Sequence, residues 1–341
     1  MKLTVGIIFA IVLGFFISFL LGFVLIPWLR KLKFGQTILD IGPAWHKSKQ
    51  GTPVMGGIMF IVSTVVTFAA VMLTDYLLGG KLLVGDSLVP NSMKIKIFAG
   101  IIMAFGFGLI GFADDYIKVA KKRNLGLTIT QKSVAQIALM LAYLGALYMS
   151  GNTYMQIPFA GNVDLKWFFW FFGMGVIYLT VNAVNFTDGV DGLCASVTAT
   201  AAIGFIVIAV LKGFFGVSIL AASLAGACAG YLIWNWHPSK VMMGDTGSMF
   251  LGGMVVALAY AIDAPLIILF IGIIYVIEML SDLLQIGYFK ATHGKRIFKM
   301  APIHHHFEMC GWKEVKIVIV FSLINIIGCI VGVALFYFGA K

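Results

Sequence analysis

The chain has 341 residues, of which 61% are hydrophobic and only 11% are charged, with a formal net charge of +10. Soluble domains carry about 25% charged residues. Together with a mean hydropathy of +1.01, this composition excludes an ordinary soluble enzyme and predicts an integral membrane protein with many spans. The basic excess suits membrane orientation, and we expect no nucleic-acid partner.

Apolar runs of about 20 residues predict transmembrane helices. We expect an all-α fold with about ten spans and no separate soluble domain, so that residues 1–341 form one transmembrane catalytic domain. The predicted spans are 3–28, 56–78, 95–113, 134–150, 167–184, 194–212, 216–234, 247–263, 265–289 and 315–338.

The loops that follow alternate spans hold most of the 24 lysine and arginine residues. Because basic residues in short loops mark the cytoplasmic side, this pattern predicts that both termini lie on the outer face. The dense polar motifs all fall on the predicted cytoplasmic side. They are residues 46–57, 114–132, 182–193, 235–248 and 295–308.

Two adjacent acids, Asp114 and Asp115, end the third predicted span. Neighbouring carboxylates repel each other unless a cation neutralises them, and a hard divalent ion does so readily. Lys118 can pair with either acid if the helix continues, because it lies three and four residues further on. Taken alone, this motif fits a metal or phosphate site and helix-end packing equally well.

Two further motifs carry acids on the same predicted side. Asn185, Asp188 and Asp191 are spaced by three and would share one face of a helix or tight turn, beside glycines that let a phosphate approach. The same composition is also typical of ordinary turns. Asp245 precedes the eighth span, where it would serve an anion or metal site or simply cap the helix.

A run of three histidines, His304 to His306, lies in the last predicted cytoplasmic loop. Three consecutive imidazoles on a regular helix cannot all ligate one ion, so phosphate binding, or one base with orienting neighbours, is favoured. In the ninth span, Glu278 and Asp282 are four residues apart. Acids inside a span are usually functional or paired within the bundle, and both interpretations stay open.

The motifs "DDYIKV", "NFTDGVDGL", "NWHPSKVMMGDTGS", "APIHHHFE" and "GTPVMGG" resemble those of the bacterial phospho-N-acetylmuramoyl-pentapeptide transferase family. That family lies within the polyprenyl-phosphate N-acetylhexosamine-1-phosphate transferases. The resemblance covers nearly the whole chain, with Val54 where threonine is common. It implies an enzyme of the bacterial cytoplasmic membrane, commonly a homodimer, that uses Mg²⁺. The donor would be UDP-N-acetylmuramoyl-pentapeptide and the acceptor undecaprenyl phosphate, giving UMP and lipid I in the first membrane step of peptidoglycan synthesis.

The resemblance also implies roles for matching residues. Asp245 would ligate magnesium, and Asp114 and Asp115 would hold or deprotonate the lipid phosphate, with the assignment between these two left open. The other implied catalytic residues, near the phosphates or the sugar, are His304, His305 and His306. The implied substrate-binding residues are Lys47, Thr52, Lys118, Lys132, Asn185, Asp188, Asp191, Gly192, Asn235 and Gln285.

Two alternatives remain beside this interpretation. A related transferase would use another UDP-N-acetylhexosamine with the same chemistry. A transporter would hold its site near the bilayer midplane on broken helices, whereas most acids here cluster at one predicted interface. The sequence contains no P-loop, so an ATP-driven enzyme has no support. The stretch GFGLIG at residues 106–111 matches GxGxxG, but it lies inside the predicted span 95–113 and not between a strand and a helix, so a dehydrogenase has no support either.

Overall fold

A computed structural model describes residues 1–32, 51–121 and 125–339. Within these ranges the chain forms helices and one short antiparallel hairpin, β1 with β2. The elements are α1 (Leu3–Lys31), α2 (Gly57–Leu77), α3 (Pro90–Ala120), α4 (Ile129–Met149), β1 (Tyr154–Ile157), β2 (Gly161–Asp164), α5 (Phe168–Phe186), α6 (Leu193–Leu211), α7 (Phe215–Asn235), α8 (Gly244–Ala261), α9 (Ile268–Ile271), α10 (Ile273–Ala291), α11 (Ile303–Met309) and α12 (Glu314–Gly339).

Eight of the described helices are long and apolar enough to cross a membrane, and a bent pair raises the number to nine. The class of a multi-pass helical membrane protein is therefore confirmed. The predicted count of ten is not confirmed within the described ranges, where α8 is not among these candidates. The expected hydrophobic segment at 265–289 is also not one straight helix, since Pro265–Ile271 and Ile273–Ala291 meet at an angle of 89°.

The break before α10 has a local cause. Gly272 leaves helical geometry, with φ −112° and ψ 34°. The backbone N–H of Ile274 points to Oδ1 of Asn325 on α12 at 3.5 Å, which gives one freed donor a long-range partner. Bends of this size occur where glycine or an inserted side chain interrupts the helical hydrogen bonds. A hydropathy window detects the apolar length of such a segment but not its change of direction.

Helices α1 and α7 pack through small residues. The buried face of α1 has a small residue at every fourth position: Gly6, Ala10, Gly14, Ser18 and Gly22. On α7, a Cβ at Gly226 or Gly230 would overlap the carbonyl oxygen of Ile11 or Phe15. Small residues at this spacing let two helix backbones approach closely. Gly226 and Gly230 therefore serve helix packing within this chain.

Helix α8 is the buried centre of the bundle, since all residues from Thr246 to Ala261 are buried. It packs against α3, α5 and α2. Its start lies beside the segment before α2, because the N–H groups of Gly56 and Gly57 donate to the carbonyls of Met242 and Met243 at 2.9 and 3.2 Å. Helices α2 and α8 therefore begin at the same end of the bundle.

The far end of the bundle carries both described termini. The terminal ammonium group of Met1 lies 2.8 Å from Asp75 near the end of α2. The hairpin contacts the last turn of α12, since Phe159 donates its N–H to the carbonyl of Gly339 at 2.9 Å. It also contacts the segment after α8, since Gln156 donates its N–H to the carbonyl of Asp263 at 2.7 Å.

Candidate active site

Two glycines bring the end of α3 against the start of α8. A Cβ at Gly111 would overlap the backbone carbonyl of Asp245, and a Cβ at Gly244 would overlap the carboxylate of Asp115. Gly244 also has a φ of +69°, which favours glycine. This close approach gathers Asp114, Asp115 and Asp245, whose carboxylate oxygens lie within 4.8 Å of one another.

The carboxylate of Asp115 is bound to the first turn of α8. Its Oδ2 accepts from the N–H and the hydroxyl of Thr246 at 2.9 and 2.7 Å, and its Oδ1 accepts from the N–H of Asp245 at 3.3 Å. The first N–H groups of a helix lack partners within that helix and attract negative charge. Asp115 therefore joins α3 to α8 and fixes the backbone of Asp245.

Asp114 orders the segment that leads into α4. Its Oδ1 accepts from the N–H of Leu127 at 2.8 Å, and its Oδ2 lies 2.6 Å from the ammonium group of Lys118. Thr128 and Gln131 then form a reciprocal capping box that starts α4. The following residue, Lys132, consequently stands on the first turn of α4 and faces the acidic centre.

Asp245 does not cap its helix. The residue before α8 makes no side-chain capping bond, and the carboxylate of Asp245 instead meets two cations and an amide. Lys132 and Lys118 lie 2.8 and 3.3 Å from Oδ2, and Asn185 donates to Oδ1 at 3.0 Å. Three carboxylates thus face two ammonium groups, which leaves negative charge in excess.

The donor set at this centre fits a magnesium ion. Magnesium prefers oxygen ligands and uses one or two carboxylates together with substrate phosphates. The side chain of Asp245 is 21% exposed, whereas those of Asp114 and Asp115 are 5% and 6% exposed. Asp245 is therefore the carboxylate of the three most open to a ligand.

Asp191 lies in a second cluster instead of beside Asn185. Its carboxylate contacts Nδ1 of His237 at 3.0 Å and accepts from the N–H and hydroxyl of Ser239, each at 3.1 Å. Its own N–H donates to Glu314 at 3.0 Å. The two motif residues diverge because α5 ends at Phe186 and the chain then turns away. The predicted single face is therefore not formed, and Asp188 lies half-buried between them.

Gly192 and Asn235 hold this turn in place. Gly192 adopts a φ of +81°, a left-handed conformation that glycine tolerates. Its N–H donates to Oδ1 of Asn235 at 3.0 Å, and the amide of Asn235 donates to the carbonyl of Val241 at 2.9 Å. Both atoms of the Asn235 amide thus have backbone partners.

The three histidines lie on α11 and each has a different partner. Nδ1 of His304 is 3.1 Å from Glu278, and Nδ1 of His305 is 2.6 Å from Glu308. Nδ1 of His306 accepts from the N–H of Lys299 at 3.1 Å. The structure thus agrees with the expectation that they do not converge on a single point.

Three other predicted positions complete the comparison with the sequence. Gln285 accepts from the N–H groups of Ile297 and Phe298 at 3.1 and 3.0 Å, so its amide holds the loop after α10. Thr52 is half-buried and precedes Pro53, whose carbonyl accepts from Met242 at the approach to α8. Lys47 lies outside the described residues.

Sequence reasoning missed several participants. The hydroxyl of Thr246 donates to Asp115 at 2.7 Å, and the hydroxyl of Ser248 accepts from Asn185 at 2.7 Å. No local sequence pattern indicated Glu314, because its partner Asp191 lies 123 residues away in the chain. The i, i+3 spacing of His305 and Glu308 in "HHHFE" could have indicated their pairing.

Comparison with known proteins places this site in a family. A sequence model of Glycosyl transferase family 4 matches residues 97–263. The chain is 43% identical over 329 residues to the phospho-N-acetylmuramoyl-pentapeptide-transferase of Acetivibrio thermocellus, covering 95% of this chain and 94% of that protein. It is 40% identical over 329 residues to the protein of that name from Bacillus velezensis, covering 96% and 97%. For Clostridium botulinum the identity is 42% over 327 residues, covering 95% and 94%.

The fold and the site define a multi-pass helical membrane transferase with a carboxylate and lysine centre at one end of its bundle. Within that class, the chain belongs to the phospho-N-acetylmuramoyl-pentapeptide-transferase family, since its relatives match over nearly their full length.

Proposed function

We propose that the chain transfers phospho-N-acetylmuramoyl-pentapeptide from UDP-N-acetylmuramoyl-pentapeptide to undecaprenyl phosphate, which gives lipid I and UMP. The observation that carries this proposal is the meeting of three carboxylates with Lys118 and Lys132 at the ends of α3, α4 and α8. Phosphoryl transfer depends on positioning and on charge stabilisation, which this mixture of groups can supply. The name of the relatives given above, phospho-N-acetylmuramoyl-pentapeptide-transferase, states the same transferred group.

The reaction joins two phosphates. An oxygen of the lipid phosphate attacks the phosphorus attached to the sugar, the bond from that phosphorus to the oxygen of UMP breaks, and UMP leaves with the electron pair. Lys118 and Lys132 hold the donor diphosphate in line for this attack. Asp245 would hold a magnesium ion, which would neutralise phosphate charge when bound. Asn185 keeps the carboxylate of Asp245 oriented by its bond to Oδ1.

Asp114 and Asp115 serve the acceptor end. A phosphate monoester is largely ionised near neutral pH, so placement of the lipid phosphate matters more than removal of its proton. We assign the closer contact to Asp114. Its Oδ2 pairs with the flexible side chain of Lys118, whereas Asp115 is bound to the rigid start of α8. Asp115 then acts chiefly by holding the two helices together.

We further propose that the site faces the cytoplasm and that both termini lie on the outer face of a bacterial cytoplasmic membrane. The basic loops support this orientation, and the first and last described residues both lie at the opposite end of the bundle. Helix α10 would form one wall of the groove for the lipid chain, because it meets the segment Pro265–Ile271 at 89° and exposes Leu280, Leu283 and Leu284. A homodimer is also proposed, and the mass of the detergent-solubilised particle tests it.

The direct test supplies the purified protein with UDP-N-acetylmuramoyl-pentapeptide, undecaprenyl phosphate and magnesium, and measures UMP. We expect one UMP per lipid-linked product and no release when the acceptor or the metal is left out. A parallel reaction with UDP-N-acetylglucosamine separates this donor from other UDP-N-acetylhexosamines. Folded protein that releases no UMP from the muramoyl donor would overturn the proposal.

A further inference from the structure

An acid and a histidine meet inside the protein beside the site described above. Glu278 of α10 and His304 of α11 are both 0% exposed, and Oε2 of Glu278 lies 3.1 Å from Nδ1 of His304. Neither of their polar ends forms a hydrogen bond of regular geometry with any residue in the described part of the chain. Burial of a polar group without a partner is costly, and burial of an unpaired charge costs more. Each group therefore needs the other.

The opposite edge of the His304 ring meets the loop that follows α5. A Cβ at Gly189 would overlap Nε2 of His304, so the ring lies directly on the backbone of that loop. The same loop begins just after Asn185, which donates to Asp245 at 3.0 Å. The ring of His304 is thus held between α10 on its Nδ1 side and the loop at residues 187–192 on its Nε2 side.

Such contacts select one form of the ring. A neutral histidine carries its proton on one nitrogen, and a carboxylate close to one of the two nitrogens favours the tautomer with the proton on that nitrogen. Because the carboxyl group of Glu278 faces Nδ1, the proton is favoured there and Nε2 is left as an acceptor. A neighbouring carboxylate that fixes ring orientation is a recurring arrangement at functional histidines.

We propose that Glu278 is a positioning residue, which holds His304 with Nε2 against the loop at residues 187–192 and so fixes that loop beside Asn185 and the carboxylate centre. The inference rests on the proposed function, because the effect of this loop on the site is measured through UMP release. Glu278 itself touches no substrate, and all of its effect passes through the ring of His304. Since Glu278 lies on α10, it also ties the proposed lipid-groove helix to the donor side of the site.

The kinetic test is a double-mutant cycle on UMP release. Glu278→Gln should lower kcat by about 10- to 100-fold, the range typical when a carboxylate that orients a histidine is changed. In a His304→Asn background the same change should have no further effect, because its only route is gone. Combined with Gly175→Ala on α5, where a Cβ meets no atom within 4 Å, it should reduce kcat by its full factor. Independent effects of Glu278→Gln and His304→Asn would overturn the proposal.

A second measurement needs no activity at all. Solid-state NMR on protein with ¹⁵N-labelled histidine, in lipid bilayers, reports which ring nitrogen of His304 carries the proton. We expect a single Nδ1-protonated form in the unmodified protein and in Ser281→Ala, a change at a buried neighbour on α10. In Glu278→Leu that form should be lost while the helical content is kept. An unchanged signal in Glu278→Leu would overturn the positioning role, whereas absent UMP release in the unmodified protein would overturn only the proposed function.

Discussion

Each end of the helical bundle contains an aspartate shared by two lysines. At the end that carries the termini, Asp263 pairs with Lys96 and with Lys212, the latter at 3.8 Å. At the other end, Asp245 pairs with Lys132 at 2.8 Å and with Lys118 at 3.3 Å. The exposures of the two aspartates are also similar, at 25% and 21%. An ion pair of this kind therefore does not by itself mark a site.

The surroundings of the two aspartates differ in the sign of the local charge. Around Asp263 the cations are in excess, and Lys212 also donates to Gln156 and to the carbonyl of Ile262 at 2.8 and 2.6 Å. Burial lowers the pKa of Lys212 to about 8 in spite of the neighbouring Asp263 carboxylate. Around Asp245 two more carboxylates approach and the acids are in excess. A divalent cation is stabilised only at the second place.

Replacement of the central aspartate at each end gives the largest expected contrast. Asp245→Asn should lower kcat for UMP release on the order of 10²- to 10³-fold, because a charge that stabilises the reacting phosphates is lost. Asp263→Asn should leave kcat within a few-fold and lower thermal stability instead. UMP release and melting temperature are measured on both variants. Near-normal turnover in Asp245→Asn would remove this residue from the metal role.

A single methyl group at the contact between α3 and α8 should have nearly as large an effect. Gly111→Ala would push α3 away from the carbonyl of Asp245, and a misplacement of about 1 Å can cost on the order of 10²-fold in rate. Gly175→Ala is the matched control, since a Cβ at that position on α5 meets no atom within 4 Å. Equal activity of the two alanine variants would show that close approach of α3 and α8 is unnecessary.

The lysines at the two ends should separate in a similar way. Lys132→Met should lower kcat/KM for the donor by about 10- to 100-fold, because one cation facing the diphosphate is removed. Lys212→Met should leave kcat/KM close to normal, since that side chain lies at the far end of the bundle. Initial rates over a range of donor concentrations measure both effects. A donor KM and kcat that are unaltered in Lys132→Met would contradict the proposed clamp.

The smallest expected effect concerns the hydroxyl that binds Asp115. Thr246→Val removes a donor to a buried carboxylate, which costs about 1 to 3 kcal/mol in stability and should slow turnover by about tenfold through movement of Asp115. Thr187→Val is the control, because its hydroxyl donates to the backbone carbonyl of Ala183 on the preceding helix α5, at 2.8 Å, instead of to a carboxylate. Denaturation in detergent and UMP release follow the pair. If both valine variants behaved alike, the Thr246 contact would have no special role.

Much of this arrangement could be predicted from the sequence. The spacing of Asp114, Asp115 and Lys118 indicated an ion pair on a continuing helix, and Lys118 does pair with Asp114 at 2.6 Å. Hydropathy identified the membrane class and most helices. The distribution of basic residues predicted that the polar loops lie on one side of the membrane. In the structure, residues of α3, α4 and α8 from these loops do meet in one centre.

Other features depend on distant contacts that local patterns do not encode. The spacing of Asn185 and Asp191 suggested one face, but Asp191 instead meets Glu314 from the start of α12. Glu278 could not be assigned between function and packing until His304, 26 residues later, was found against it. Hydropathy also did not predict the bend at Gly272, because the apolar composition of α9 and α10 is the same whether or not the chain bends between them.

Metal binding at the two ends is the most direct test of the difference between them. Electron paramagnetic resonance with Mn²⁺ in place of magnesium counts tightly held ions on the folded protein in detergent. We expect a bound ion in the unmodified protein and in Asp263→Asn, and its loss in Asp245→Asn. Bound Mn²⁺ that persists in Asp245→Asn, or that disappears in Asp263→Asn, would contradict a metal site at the meeting of α3 and α8.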